Sequence, residues 1–282
     1  MRQDLDGRGC WPAMYHGPLR MTLSSIRYFC PFALLWAAAC SRPAAPERIT
    51  VAAAADLQFA LPEIIRQFAA ANPRVEVSSV YGSSGNFYSQ IRNGAPFDVF
   101  LSADAQYPGR LADEGLAVRS SLMPYAVGRI ALWAPASSAL DLEHLGMRAL
   151  EADSVKHVAI ANPQHAPYGR AAEAALRSQG VYDRIAPKLV LGENIAQTLE
   201  FVQSGAAEAG IVALSLAKAP AVRGQGRYWE IPPSAHPPIQ QVAAILARAR
   251  DSKAAARFLD FLGQDAARGI LREYGFSVES RR

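Results

Sequence analysis

From residue 49 onward, short apolar runs alternate with stretches whose apolar residues recur at helical spacing. No other feature constrains the fold as much, because a strand–helix repeat packs as parallel sheets with right-handed crossovers. The run 49–55 is apolar but for Thr50, as expected of a central strand covered on both faces. Leu57, Leu61, Ile64, Ile65 and Phe68 then share one helix face, which Asn72-Pro73 ends. Pro62 sits early in that helix and either places its start nearer Phe59 or kinks it.

Strands are predicted over 75–80, 98–101 and 127–133, with helices from 82–85 to about 94 and over 105–114. The pattern then restarts, with strands over 157–161, 188–191 and 209–212 and helices over 168–179 and 195–203. A strand over 240–246 and helices over 253–262 and 266–274 complete it. Long strands near 124–134 and 239–247 join the two sets. Two lobes are therefore expected, 48–128 plus 240–282 and 129–239. Ligands of open α/β sheets sit beyond the carboxyl ends of the strands.

Composition narrows the function classes. The 282 residues are 50% apolar and 19% charged, enough for a sizeable core and too apolar for a disordered chain. The formal charge is +4, but residues 1–40 hold four Arg and two Asp. The remainder carries 25 basic and 23 acidic residues with no Lys/Arg block, so no nucleic-acid partner is expected. Cys10, Cys30 and Cys40 all lie in the first forty residues. Downstream of Cys40 there is no cysteine for a disulfide or a cysteine-ligated metal.

Residues 1–40 read as an export leader, with Met21 as the expected true start. Arg20 and Arg27 precede the apolar run 28–36, which leads into Ala37-Ala38-Ala39-Cys40. That run is too short for an ordinary spanning helix. The small residues before Cys40 resemble a bacterial lipoprotein cleavage site, with ordinary signal-peptide cleavage as the alternative. Residues 41–47, with Pro43 and Pro46, are expected to form a tether to the membrane surface. The protein is expected in the periplasm or another extracytoplasmic space, touching membrane only through a lipid on Cys40.

Four strand-to-helix junctions could carry binding chemistry. They are Ala54-Ala55-Asp56-Leu57, Tyr81-Gly82-Ser83-Ser84-Gly85-Asn86, the stretch 162–169, and Gly192-Glu193-Asn194-Ile195-Ala196. Each offers unpaired helix N–H groups and about half a positive charge. Small residues let an anion reach the backbone, and serine adds a hydroxyl donor. Taken singly, each has a plainer reading. Ser83, Ser84 and Asp56 suit helix caps, Tyr168 a packed aromatic, Ile195 a core residue and His165 a surface loop residue. The signal lies in their combination. Phosphate-loop, nucleophile-elbow and His-Glu-x-x-His motifs are missing, and His144, His157, His165 and His236 show no metal-ligand spacing.

These residues resemble the periplasmic molybdate-binding proteins of ABC importers. The likeness rests on 49–57 (ITVAAAADL), on 94–104 (GAPFDVFLSAD), on Asn162-Pro163 through Pro167-Tyr168-Gly169, and on Tyr274-Gly275-Phe276. It spans about residues 48–280. The resemblance implies a two-lobed, periplasmic-binding-protein-like α/β fold of type II, each lobe a mostly parallel sheet flanked by helices, with the cleft between. It implies a tetrahedral oxyanion, molybdate or tungstate, passed to an inner-membrane ABC permease by a monomer that uses no cofactor and catalyses nothing. The metal would be held only through its oxygens. The ligand places carry over to Asp56, Ala55, Ser84 with Ser83 beside it, Tyr168 and Ile195, the last two mainly through backbone N–H groups.

Two departures stand out. Members of that family commonly present Ser, or Thr-Asn, where this chain has Ala55-Asp56, and an ionised Asp repels a dianion. Either Asp56 caps its helix and turns away, or it is protonated and donates, or the ligand is a different one. Many members also carry Tyr after Gly-Ile-Val, where this chain has Ala213. Other solutes stay open. A ferric ion would need paired Tyr and His ligands, and an organic acid an arginine clamp such as Arg129 or Arg170. A phosphonate receptor, or an enzyme on the same fold, are the remaining alternatives.

Overall fold

The computed structural model describes residues 46–279, so the leader, Cys40 and residues 41–45 of the expected tether lie outside the described residues. Glu47, the last expected tether residue, already opens the first strand. The chain runs β1 (Glu47–Ala54), α1 (Ala60–Ala71), β2 (Val75–Gly82), α2 (Ser84–Arg92), β3 (Val99–Ser102), α3 (Gln106–Asp113) and β4 (Met123–Gly128). It continues through β5 (Ile130–Pro135), α4 (Leu142–Leu145), β6 (Val158–Ala161), α5 (Pro167–Ser178), α6 (Tyr182–Ile185), β7 (Leu189–Gly192), α7 (Ile195–Gln203), β8 (Ala209–Ala213), α8 (Leu214–Ala217) and β9 (Gly226–Glu230). It ends with β10 (Ile239–Ile245), α9 (Ser252–Leu262) and α10 (Asp265–Glu273).

Two five-stranded sheets result, ordered β2-β1-β3-β10-β4 and β7-β6-β8-β5-β9. In each, the first three strands are parallel and the fourth runs against both of its neighbours. Four of five strands therefore point one way, and the reversed strand lies beside the crossing between lobes. The strand expected over 127–133 is two strands. The chain leaves the first sheet at Gly128 and enters the second at Ile130, with only Arg129 between. The apolar pattern runs through this break, so spacing alone cannot register it. Strand β9 was not foreseen either. It is an edge strand paired only with β5, and Arg227 and Glu230 interrupt its apolar residues.

Both faces of the first sheet are covered, which accounts for the apolar run of β1. Ile49, Val51 and Ala53 face a core with Leu61, Ile64 and Phe68 of α1 and Phe258 of α9. Ala52 faces the opposite core with Phe87, Ile91, Phe100 and Leu111. Helix α1 starts after Phe59, so Pro62 falls in its first turn, where no intrahelical N–H bond is lost. Among the described residues, no helix is long and apolar enough to cross a membrane.

Asp98 ties the first sheet to its C-terminal return. Its buried carboxylate accepts from the N–H groups of Thr50 and Arg250, both at 2.7 Å, and from the Arg250 guanidinium at 2.9 Å. Burial pushes its pKa up, but the bonds from the Arg250 side chain and the two N–H groups outweigh this and hold it below the usual 3.8.

Candidate functional site

The carboxyl ends of β1, β2, β6 and β7 meet at one place, where a small cavity opens. Ala54, Ala55, Gly82, Ser83, Ser84 and Ala103 of the first lobe line it, with Ala166, Pro167, Tyr168 and Ile195 of the second. No lining residue carries a charge. The free volume is about 10 Å³, against roughly 300–1,000 Å³ for an organic-ligand pocket. An organic ligand does not fit it.

Three helices begin at this cavity, and their caps decide which groups remain free. Ser83 caps α2, its Oγ accepting from the Asn86 N–H at 3.3 Å. The next N–H, that of Gly85, donates to the His165 carbonyl at 2.9 Å. Asn194 caps α7 by accepting from the Ala196 and Gln197 N–H groups. In α5, the first helical residue is Pro167, which has no N–H, and the Gly169 N–H donates to the Ala166 carbonyl. The first-turn N–H groups of Ser84, Tyr168 and Ile195 are left without intrahelical acceptors, and all three residues line the cavity.

The two serines differ. Besides capping, Ser83 Oγ lies 3.0 Å from His165 Nδ1. Ser84 Oγ, fully buried, accepts from the Ala103 N–H at 2.9 Å, which leaves its own proton to donate. Ala103 belongs to the 94–104 stretch, and no local sequence signal marks this contact. Ser84 thus keeps its hydroxyl proton free at the cavity, and Ser83 caps the helix.

Asp56 departs from the expected cap. Its turn, Ala55–Leu57, has no side-chain cap bond, and Asp56 does not line the cavity. Its Oδ2 instead accepts from the Tyr168 hydroxyl at 2.8 Å and from Gln241 Nε2 at 2.7 Å. Tyr125 donates to Gln241 Oε1 at 2.8 Å and so orients that amide, while Ser215 donates to the Asp56 carbonyl at 2.7 Å. Oδ1 is buried without a partner. Burial dominates and pushes the pKa from 3.8 to about 7, and the bonds from Tyr168 and Gln241 only partly offset it. The Tyr168 hydroxyl is therefore occupied, and only the backbone N–H of this residue stays free at the cavity. Gln241 and Ser215 escaped the sequence reading: Gln241 is a neutral residue inside β10, and Ser215 follows Ala213 at the β8–α8 turn, outside the four junctions singled out.

The lobes are closed on each other. His165 is half-buried rather than a free surface residue, with Nε2 3.6 Å from Glu193 and its carbonyl bonded to Gly85 across the cleft. Gly85 has to be glycine for this approach, because a Cβ there would stand 2.5 Å from the His165 carbonyl oxygen. Gly169 likewise lets α5 close on β6, since a Cβ would lie 2.0 Å from the Ala161 oxygen. Arg170 pairs with Asp104 across the lobes and Arg129 pairs with Glu230, so both candidate clamp arginines are neutralised. Neither lines the cavity. Among the described residues no cluster of His, Cys, Asp and Glu could hold a metal ion directly.

Residues 49–277 match the family model described as bacterial extracellular solute-binding protein. The chain is 39% identical over 239 residues to the molybdate-binding protein ModA of Rhodobacter capsulatus, covering 84% of this chain and 91% of that protein. It is 38% identical to ModA of Azotobacter vinelandii, covering 86% and 93%. The solved structure of the Azotobacter vinelandii periplasmic molybdate-binding protein superposes with a TM-score of 0.77 at 31% identity, covering 82% of this chain and all of that one.

Proposed function

The chain belongs to the bacterial extracellular solute-binding protein family, and on that premise we propose that it is the receptor that delivers molybdate or tungstate to an ABC importer. One observation carries the assignment. The N–H groups of Ser84, Tyr168 and Ile195 and the free hydroxyl proton of Ser84 converge on one small, uncharged cavity. Dehydrating a dianion is costly, so each of its oxygens must meet a donor. Dipoles fixed by strand ends and helix caps supply those donors without reorganising. They bind and orient the oxyanion by its oxygens, the backbone at Ala55 closes the cavity floor, and no bond is made or broken. Sulfate shares the charge and shape of molybdate, so anion radius is what the cavity can discriminate.

The same reading places the protein outside the cytoplasm as a monomer, with Cys40 as the lipid attachment point and no cofactor. Its partner is the permease of the importer.

Calorimetry with molybdate tests the assignment. Ser84→Ala should weaken binding by about 1.5–3 kcal/mol, the range for a hydrogen bond to a charged group. Unchanged affinity would remove Ser84 from the site. Gly85→Ala tests lobe closure separately. Alanine favours the helix by about 1 kcal/mol over glycine, so the ligand-free protein should unfold no earlier than wild type. Its Cβ would collide with the His165 backbone only in the closed form, whereas the Tyr107 hydroxyl, 2.8 Å away in the same lobe, ends a side chain that can turn aside, and molybdate affinity should fall at least about tenfold, or ~1.4 kcal/mol. A variant that binds as wild type does would show that the Gly85–His165 contact plays no part in closure.

A further inference from the structure

We infer that closing the two lobes around the anion takes one proton from solvent, and that Asp56 is the residue that receives it. The inference rests on the oxyanion reading above and adds a regulation of that same site. Asp56 belongs to the first lobe, but the second lobe buries it. Its turn, Ala55–Leu57, packs against α7 and α8. Tyr168 of α5 donates to its carboxyl, and Ser215 of α8 donates to its carbonyl. Opening the lobes removes these partners and readmits water, and a hydrated carboxyl releases its proton.

Oδ2 already accepts two hydrogen bonds, so the unpartnered Oδ1 is the oxygen that takes the proton. The titratable groups facing Asp56 are Tyr168 from α5 and Tyr125 from β4. Burial foremost, and then the nearby carboxyl, keep both neutral by lifting them well above 10. Gln241 of β10 and Ser215 of α8 are uncharged, and no charged group of α7, α8 or β2 acts on the carboxyl. With nothing to balance a negative Asp56, a dianion held by the backbone of its neighbour Ala55 and of its partner Tyr168 favours the protonated acid. The free closed form binds this proton with a pKa of about 7, and the occupied form holds it at higher pH.

The test is calorimetry of molybdate binding between about pH 6 and 8.5, in buffers of differing ionisation enthalpy, with wild type, Asp56→Asn and Gln241→Met. Wild type should take up close to one proton per anion at the bottom of that range, and fewer once pH passes the value at which the occupied form releases its proton. Its affinity should fall by up to about tenfold per pH unit across the span of full uptake and level off above it. Asp56→Asn should take up no proton and show no slope. Gln241→Met removes a donor to Oδ2 and should move the break to higher pH, which keeps the idea testable should Asp56→Asn not fold. Molybdate binding with no proton uptake and a flat profile in wild type overturns the coupling alone. A wild type that binds neither molybdate nor tungstate even at pH 6 overturns the receptor reading and the coupling together. A site that prefers hydrogen phosphate to molybdate above pH 7 also overturns it, because the proton would then sit on the ligand.

Discussion

Asp56→Asn should make the closed form of the ligand-free protein more stable at pH 8, by up to about 4 kcal/mol. In the closed fold this carboxyl holds its proton to about pH 7, whereas the unfolded chain releases it near 3.8. The folded state therefore binds the extra proton, and the stability it brings is fully present below the unfolded value. That stability is lost as pH rises towards 7, beyond which the protein carries an ionised, buried and half-partnered carboxylate. Asparagine removes the charge and can still accept from Tyr168 and Gln241. Its gain over wild type should be largest at pH 8 and shrink towards pH 5. Denaturant unfolding of both proteins at the two pH values measures it, since all other groups titrate alike in both. Parallel pH profiles would mean that the ligand-free protein stands open, with Asp56 ionising as a solvated acid does.

Asp98→Ala should do the opposite and cost about 3–5 kcal/mol. It strands the N–H groups of Thr50 and Arg250, and releases the Arg250 guanidinium from β1 and from the segment after β10. The pH sign is also reversed. The folded pKa of Asp98 is depressed, so its contribution is present above the ordinary 3.8 and is lost as pH falls through the folded value. Wild type should lose stability on acidification below about pH 4 by a component that Asp98→Ala lacks. Urea unfolding at pH 7 and at low pH reads both effects. A loss under 1 kcal/mol at pH 7 would mean that water replaces the carboxylate at both N–H groups.

These two aspartates show how far the site can be read from local pattern. The junctions at 54–57, 82–86, 162–169 and 192–196 are legible because glycine, serine and Asn-Pro punctuate apolar runs, and such punctuation marks where a strand hands over to a helix. Helix α7, Ile195–Gln203, falls where its apolar spacing and Asn194 cap put it. The chain break at Arg129 is not legible, because both flanking strands are apolar and only their partners differ. Within 94–104 the residue pattern marks Asp98 and Ala103 as part of a characteristic stretch. What they hold, Arg250 and the Ser84 hydroxyl, is visible only after folding.

The amino-acid order by itself determined most of the succession of strands and helices and the Ser83 and Asn194 caps, and thus where free N–H groups arise beside them, since these depend on neighbours within a turn or two. Tertiary structure alone decided which groups meet. Tyr168 stands 112 positions from Asp56 and Gln241 stands 185. Burial of that carboxyl, and with it the charge state beside the cavity, follows from two lobes shutting on one side chain. Such desolvation is a property of the surroundings in space, and no local pattern encodes it.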